Sequence, residues 1–346
     1  MKGVEKMRHC KLILIIGVMV FQIVMLSSCG EYETSTLPDG TLEIVDYKGH
    51  KKDVVIPTVI GGKKVTAIGK GAFGKKDYQL PLFYREKIFT SVVIPEGITT
   101  IGENAFSHNK LTSIIIPNSV TTMGENAFAH NELVNVIIPN TITIISYAAF
   151  WGNKITNINI PDSVTTIGGV AFGDNQLMTV NIPNSVTTIE SGAFGGNQLI
   201  NVIIPDSVTS IGRSAFSENK ITNVKISKNV TTIEARTFSH NQLSTVFIPD
   251  SVTSIGQDAF ADNQLTNVKI PENIKKIGEN AFSNNKLTNV TIPNADADIA
   301  HNAFDNEVVI DKPSKKPIDR SGWTDEQLAR YEAFEKAIEK SFEGAK

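Results

Sequence analysis

The residues that could do chemistry in this sequence are histidines and carboxylates, and they recur along the chain at a fixed spacing. His108 and His130 are 22 residues apart, and His240 lies on the same spacing further along. Stacked imidazoles could ligate zinc, but a zinc site needs three or four ligands. Other copies of this position hold glycine, aspartate or glutamate. We therefore interpret it as a variable, solvent-facing turn and predict no metal site.

The carboxylates give no sign of catalysis. Asp162, Asp206 and Asp250 each follow a proline, a position that turns favour. The sequence contains no phosphate-binding loop, zinc-protease motif or nucleophile elbow. A carbohydrate-active enzyme would need paired carboxylates on one face, and the outward positions identified below hold none. The sequence predicts no catalytic residue, no cofactor and no small-molecule substrate, so we do not expect an enzyme.

Cys29 is the one residue with a predicted covalent chemistry. Before it come four basic residues between Lys2 and Lys11, and then an uncharged, mostly apolar run of 15 residues from Leu12 to Leu26. This run is shorter than the ~20 residues that a membrane-spanning helix needs. It fits the apolar core of a secretory signal instead.

The motif Leu26-Ser27-Ser28-Cys29 resembles the lipobox of bacterial lipoproteins. The resemblance implies that residues 1–28 are a signal peptide, and that the Cys29 thiol receives a diacylglycerol. It also implies export and anchoring by lipid to the outer face of the cell membrane or outer membrane. Two or three acyl chains give stable anchoring. An uncleaved anchor with an incidental cysteine is the alternative.

A 22-residue repeat fills most of the remaining chain. Phenylalanine recurs at this step from Phe106 to Phe304, and asparagine from Asn109 to Asn285. Proline follows the same step from Pro95 to Pro293, except where Ser227 replaces it. One unit cannot bury its own apolar residues, so successive units must stack.

Each unit is predicted to begin with a strand. In Ser113 to Ile116, Ile114 and Ile116 share one face, and Pro117 ends the strand. Gly124 is expected to permit a bend. The repeated asparagine is interpreted as a buried structural ladder, with a ligand site as the alternative. The predicted fold is a β-rich solenoid of about ten 22-residue units with a parallel sheet, an N-terminal β cap and a C-terminal helix.

The repeat pattern I-P-x-x-V-T-x-I-G-x-x-A-F-x-x-N-x-L-T-x-V-x-I resembles the BspA-like (Treponema-type) leucine-rich repeat family. The resemblance covers about residues 42 to 310. It implies a leucine-rich repeat stack. Members are mostly bacterial and protist surface proteins, and several are adhesins. The resemblance thus implies a protein ligand on a host or bacterial surface.

The segments outside the regular repeat have separate predictions. Residues 29–41 are expected to be a tether, and residues 42–94 an N-terminal cap and irregular first repeat, with a hairpin around Lys48-Gly49. An insertion at residues 74–90 is either local packing or a recognition loop. The regular solenoid is predicted at 95–310 and a linker at 311–322. An amphipathic helix is predicted at 323–346, where it either covers the last coil or binds a partner.

The predicted outward positions of the first strand are the candidate binding surface. Val93, Ile115 and Ile137 should stack into an apolar stripe, covered by the insertion, occupied by a partner, or simply exposed. Asparagines and later anchors on the same face would add contacts. The predicted protein-binding residues are Val93, Ile115, Ile137, Asn135, Asn157, Asn201, Ile203, Asn223, Phe247 and Asn267.

Composition favours an ordinary globular protein, with 20% charged residues and a formal net charge of −3. Such a charge gives no general attraction to nucleic acid. The sequence therefore predicts a lipid-anchored cell-surface protein for macromolecular binding or adhesion, with a protein as the partner. A structural spacer or envelope scaffold without a dedicated ligand is the alternative.

Overall fold

The computed structural model describes residues 30–74, 88–313 and 324. In this part of the chain, 24 short strands and no helix form a solenoid. The predicted β-solenoid with parallel strands is confirmed. The signal peptide, Cys29, most of the insertion, most of the linker and nearly all of the predicted C-terminal helix lie outside the described residues.

The strands form an N-terminal group and two parallel rows. The N-terminal group is β1 (Tyr32–Thr36), β2 (Leu42–Tyr47), β4 (Val59–Ile60) and β5 (Lys63–Ile68). The first row is β3 (Asp53–Val55), β6 (Ser91–Val93), β8 (Ser113–Ile115), β10 (Asn135–Ile137), β14 (Asn201–Ile203), β16 (Asn223–Lys225), β18 (Thr245–Phe247), β20 (Asn267–Lys269), β22 (Asn289–Thr291) and β24 (Val309–Asp311). The second row continues from β5 through β7 (Thr100–Ile101), β9 (Thr122–Met123), β11 (Ile144–Ile145), β12 (Thr166–Ile167), β13 (Thr188–Ile189), β15 (Ser210–Ile211), β17 (Thr232–Ile233), β19 (Ser254–Ile255), β21 (Lys276–Ile277) and β23 (Asp298–Ile299).

The alternation within each first-row strand directs its side chains. In β8 the central residue, Ile114, is buried, and its two neighbours are exposed. Pro117 follows the strand and has no N–H with which to continue the ladder. Met123 of the second row is also buried. Each coil therefore closes around its own apolar residues and completes its core against the next coil.

The phenylalanines form a continuous stack through the core. From Phe73 to Phe304, successive rings lie with centroids 5.0 to 5.7 Å apart and nearly parallel planes. Ring pairs at such separations add ~0.5–1.5 kcal/mol beyond their buried area. The exact step between phenylalanines in the sequence thus reflects one ring per coil.

The repeated asparagine is a structural ladder. The Asn175 Nδ2 donates hydrogen bonds to the carbonyls of Phe150, Phe172 and Gly173 at 3.0, 3.2 and 3.1 Å. Its Oδ1 accepts from the backbone N–H of Ile155 at 3.0 Å. The same pattern recurs in successive coils, for example at Asn197. Because both ends of the amide are occupied by backbone groups, the geometry favours the structural interpretation over a ligand site.

Glycine at the Gly124 position is required by close packing and not by a bend. Gly124 has no positive φ. A Cβ there would lie 2.4 Å from the Glu103 nitrogen and 2.6 Å from the Gly102 carbonyl carbon of the preceding coil. The left-handed backbone lies further on, at Asn126 and His130, with φ of 53° and 54°. The expectation of a glycine bend was therefore wrong.

Two expectations for the N-terminal cap were wrong. Residues 29–41 are not simply a tether, because β1 pairs antiparallel with β2, and Tyr32 packs on Tyr47 with ring centroids 5.1 Å apart. No hairpin forms around Lys48-Gly49, because β2 pairs with β5 of the second row while β3 begins the first row. A Cβ at Gly49 would lie 2.2 Å from the Tyr47 hydroxyl, so glycine lets the chain pass the ring. By pairing with β2, β1 occupies an edge that would otherwise be open.

The coil that lacks proline preserves a hydrogen bond by other means. In several coils a Ser or Thr two residues after the proline donates its hydroxyl to a carbonyl of the preceding coil, as Ser251 does to Val230. Asn229 occupies that position here, and Ser227 takes the place of the proline. The Ser227 hydroxyl donates to the equivalent carbonyl, that of Val208, at 2.6 Å.

Candidate functional site

The outer face of the first row contains every predicted protein-binding residue. Most of its strands have a buried central residue, so the residues on either side point outward. All ten predicted residues are exposed, although Asn157 lies outside any strand. We call this surface the outer face.

Four stacked apolar side chains form the first part of the outer face. Val55, Val93, Ile115 and Ile137 are 59, 51, 66 and 60% exposed. Parallel pairing aligns Val55 with Val93, and Ile115 with Ile137. Paired strands lie ~4.8 Å apart, and β6 also contacts β8 without a ladder between them, so the two aligned pairs follow each other along the face. We call these four side chains the apolar row.

Sequence reasoning missed Val55 because it precedes the regular repeat. The signal was nonetheless present: residues 53–57 are DVVIP, and residues 91–95 are SVVIP. The structure places these two segments in register as β3 and β6. Asp53 also starts the outward column that was expected to hold no carboxylate, and it accepts a hydrogen bond from the Thr90 hydroxyl at 2.8 Å.

The first row is interrupted in the middle of the solenoid. Between β10 and β14, the only bridge on this row among the described residues joins Asn159 to Asn181. A shallow groove of about 520 Å³ lies beside the interruption, and its walls include Asn181, Asn201 and Ile203. The interruption separates the apolar row from the second half of the outer face.

Beyond the interruption, apolar and basic side chains alternate. Ile203 pairs in register with Lys225, and Phe247 pairs with Lys269. Phe247 is 63% exposed, whereas every other phenylalanine among the described residues is buried. Lys225 and Lys269 make no ion pair within this part of the chain, while nearby Lys228 binds Asp206 at 3.3 Å.

The histidine position does not assemble a metal site. The rings of His108 and His130 lie 4.4 Å apart, and His130 lies 4.5 Å from Trp151, whose indole N–H donates to Asp174 at 2.8 Å. Burial lowers the pKa of His130, and Asp174 opposes this with a smaller upward effect. Within residues 30–74 and 88–313, no group of three or more His, Cys, Asp or Glu residues is arranged to hold a metal.

The second strand row carries a different surface. Its outward residues are mostly Thr or Ser, with Ile144 as an exposed exception. None of the described elements is a helix suited to cross a bilayer. The first row provides a long, rigid surface on which successive side chains lie about one strand spacing apart.

Comparisons with solved structures find other repeat proteins. A leucine rich cell surface protein from Faecalibacterium prausnitzii is 27% identical and has a TM-score of 0.41. The alignment covers 76% of this chain and 93% of the Faecalibacterium chain. A leucine-rich repeat protein from Bacteroides ovatus is 19% identical, with coverage of 83% and 100% and a TM-score of 0.40. The pneumococcal vaccine antigen PcpA is 17% identical, with coverage of 82% and 86% and a TM-score of 0.48. No curated protein sequence matches significantly.

The family comparison covers most of the chain. The description "BspA type Leucine rich repeat region" matches residues 78–201 and 187–310, with six copies. These ranges contain the apolar row from Val93 onward and the alternating part of the outer face. Since the match spans more than half of the sequence, the chain belongs to the BspA-type leucine-rich repeat family.

Proposed function

We propose that this protein binds another protein through the outer face of its first strand row while a lipid on Cys29 anchors it to the cell surface. The apolar row carries the proposal. Four apolar side chains, each at least half exposed, follow each other on two pairs of parallel strands. Contiguous exposed apolar surface of this kind marks interaction sites in soluble proteins.

The remainder of the outer face supplies polar contacts. Asn135, Asn201, Asn223 and Asn267 each begin a first-row strand, two residues before its second outward residue. Amide side chains can donate and accept hydrogen bonds with a partner. Apolar anchors with a polar surround are the usual composition of a protein interface. Because equivalent side chains form rows and do not converge, we propose a binding role without catalysis.

The proposal is tested by binding to defined host-matrix and bacterial-surface proteins. We expect Ile115→Ser with Ile137→Ser to weaken capture of a bound partner by at least about tenfold, since such anchors dominate interface energy. The matched control is Ile144→Ser, which removes an exposed isoleucine from the second row. Thermal unfolding must show that the variants keep their stability.

The competing function is a structural spacer. It would be supported if no panel protein binds at varied salt, or if the Ile115 and Ile137 changes leave capture unaltered. In either case the apolar row would have no role in recognition. The lipid anchor has a separate test: Cys29→Ser should abolish incorporation of a labelled fatty acid and release the protein from the membrane fraction. Unchanged labelling would contradict the lipobox interpretation.

A further inference from the structure

The second half of the outer face differs in chemistry from the apolar row. Ile203, Lys225, Phe247 and Lys269 occupy the same outward position in four successive strands. Along the solenoid axis the order is thus apolar, basic, apolar, basic. A surface with this order fits a ligand with acidic groups at a regular interval and apolar groups between them.

The two lysines are available to such a ligand. No described residue forms an ion pair with Lys225 or Lys269. Asp206 lies near enough to Lys225 for a weak electrostatic interaction, but its hydrogen bond and ion pair are with Lys228. Asp250 and Glu272 each come three residues after the outward position of their strand, beyond a buried isoleucine and a proline. Phe247 is exposed on β18, the strand between those that carry Lys225 and Lys269. A carboxylate on either side of an apolar ligand group would meet complementary charge.

The spacing of the lysines selects a ligand conformation. Lys225 and Lys269 are two strand spacings apart, or ~9.6 Å at ~4.8 Å per strand. A polyproline II chain has three residues per turn and a rise of 3.1 Å, so its same-face residues recur every ~9.3 Å. Same-face residues of a β-strand recur every ~6.7 Å, and an α-helix has a pitch of 5.4 Å. The polyproline II interval is the nearest to the lysine spacing, ahead of two α-helical turns at ~10.8 Å.

We propose that Ile203, Lys225, Phe247 and Lys269 bind an acidic, proline-rich protein segment in the polyproline II conformation, with a carboxylate at every third residue. The inference deepens the proposed function, because it names a partner class for the same outer face. Proline rings between the carboxylates would pack on Phe247 and Ile203, as polyproline segments pack on aromatic surfaces in other recognition domains. Asn267, whose side chain makes no hydrogen bond within the described residues, can bond the solvated carbonyls of such a chain.

The test is fluorescence anisotropy with the purified protein and labelled synthetic peptides. The ligand probe is a peptide of six Glu-Pro-Pro repeats. A Glu-Gly-Ser peptide of equal length keeps the charge without the polyproline II conformation, and a Lys-Pro-Pro peptide reverses the charge. We expect the Glu-Pro-Pro peptide to bind at least about tenfold more tightly than either control, and binding to weaken as salt rises.

Variants then locate the site. Phe247→Ser, and separately Lys225→Gln with Lys269→Gln, should each weaken the Glu-Pro-Pro peptide about tenfold or more. The matched control is Lys276→Gln, which neutralises an exposed lysine on the second row and should change nothing. Circular dichroism and thermal unfolding confirm that each variant is folded.

Three outcomes would overturn the inference. Equal binding of the Glu-Gly-Ser peptide would show that backbone conformation is not selected. Tighter binding of heparin at the same residues would assign the site to polyanionic glycans. Absence of peptide binding would remove the inference, but the proposed function would survive if the Ile115 and Ile137 changes still abolished capture of a partner.

Discussion

Replacing Asn175 with alanine should destabilise the solenoid far more than replacing an asparagine on its surface. The Asn175 Oδ1 is the acceptor for the buried Ile155 N–H, and its loss leaves that donor unsatisfied. The carbonyls of Phe150, Phe172 and Gly173 lose one bond each but keep a second donor, from Asn153, Asn197 and the Gly152 N–H respectively. An unsatisfied buried donor costs ~1–3 kcal/mol, and each of the three lost bonds ~0.5–1.5 kcal/mol, so we expect a loss of at least about 3 kcal/mol.

The assay is urea unfolding monitored by circular dichroism, with Asn157→Ala as the matched control. Asn157 lies on the outer face and is exposed, so its replacement should change the free energy of unfolding by less than ~0.5 kcal/mol. Hydrogen exchange should also speed up around Ile155, because coils in a solenoid depend chiefly on their neighbours. Equal stability of the two variants would refute the structural role of the ladder.

Three further perturbations test the packing between coils. Gly212→Ala should lower the free energy of unfolding by ~1–3 kcal/mol, measured by thermal unfolding, because its Cβ would lie 2.4 Å from the Ser191 nitrogen. Arg213→Ala is the exposed control. A Gly212→Ala variant of normal stability would contradict this close contact. Ser227→Pro should lower the free energy of unfolding by ~1 kcal/mol, because it removes the hydrogen bond to the Val208 carbonyl. The double change Ser227→Pro with Asn229→Ser should restore that stability, since the introduced serine can make the same bond. If the two changes have additive effects in urea unfolding, Ser227 does not replace the usual serine. Burial lowers the pKa of His130 below 6.5 in the folded state, so its contribution to the free energy of unfolding should be fully present above about pH 6.5. This contribution should be lost as the pH falls from there towards the folded-state pKa. His130→Asn, which suits the left-handed backbone there, should reduce this pH dependence in thermal unfolding. An unchanged slope in this variant would refute the assignment.

The regular part of the fold was predictable because each coil repeats one set of constraints. The positions of Phe106 and Asn109 recur unchanged for most of the chain, and each has a single packing role. The N-terminal cap was less predictable, since β1 and β2 pair by contacts that occur only once. Gly124 was misinterpreted because a glycine in the sequence has two possible causes. It can be required by an unusual backbone angle or by close contact with a neighbouring coil, and only the structure distinguishes them.

The candidate site was predictable in position but not in extent. Strand alternation alone placed Ile115, Ile137 and Phe247 on the outside. It did not place Val55 beside Val93, because the segments between them break the repeat length. It also did not predict the interruption at Asn159 and Asn181, where the residue pattern remains that of a strand but only one bridge forms.

The separation between fixed and variable positions explains why recognition on this scaffold can change without loss of the fold. Inward residues such as Phe172 and Asn175 contact the same backbone groups in the coils on either side, so a change at one of them disturbs a neighbouring coil as well. Within the part of the chain that the structure describes, outward residues such as Ile115 and Lys269 have no such partners, so we expect their replacement to change the stability of the coil little. The solenoid can therefore present an apolar row and an alternating basic surface on one continuous face. A partner that contacts both surfaces must place its own groups at intervals that match the strand spacing along the solenoid axis. This requirement would distinguish specific recognition by the outer face from nonspecific adhesion to an apolar patch.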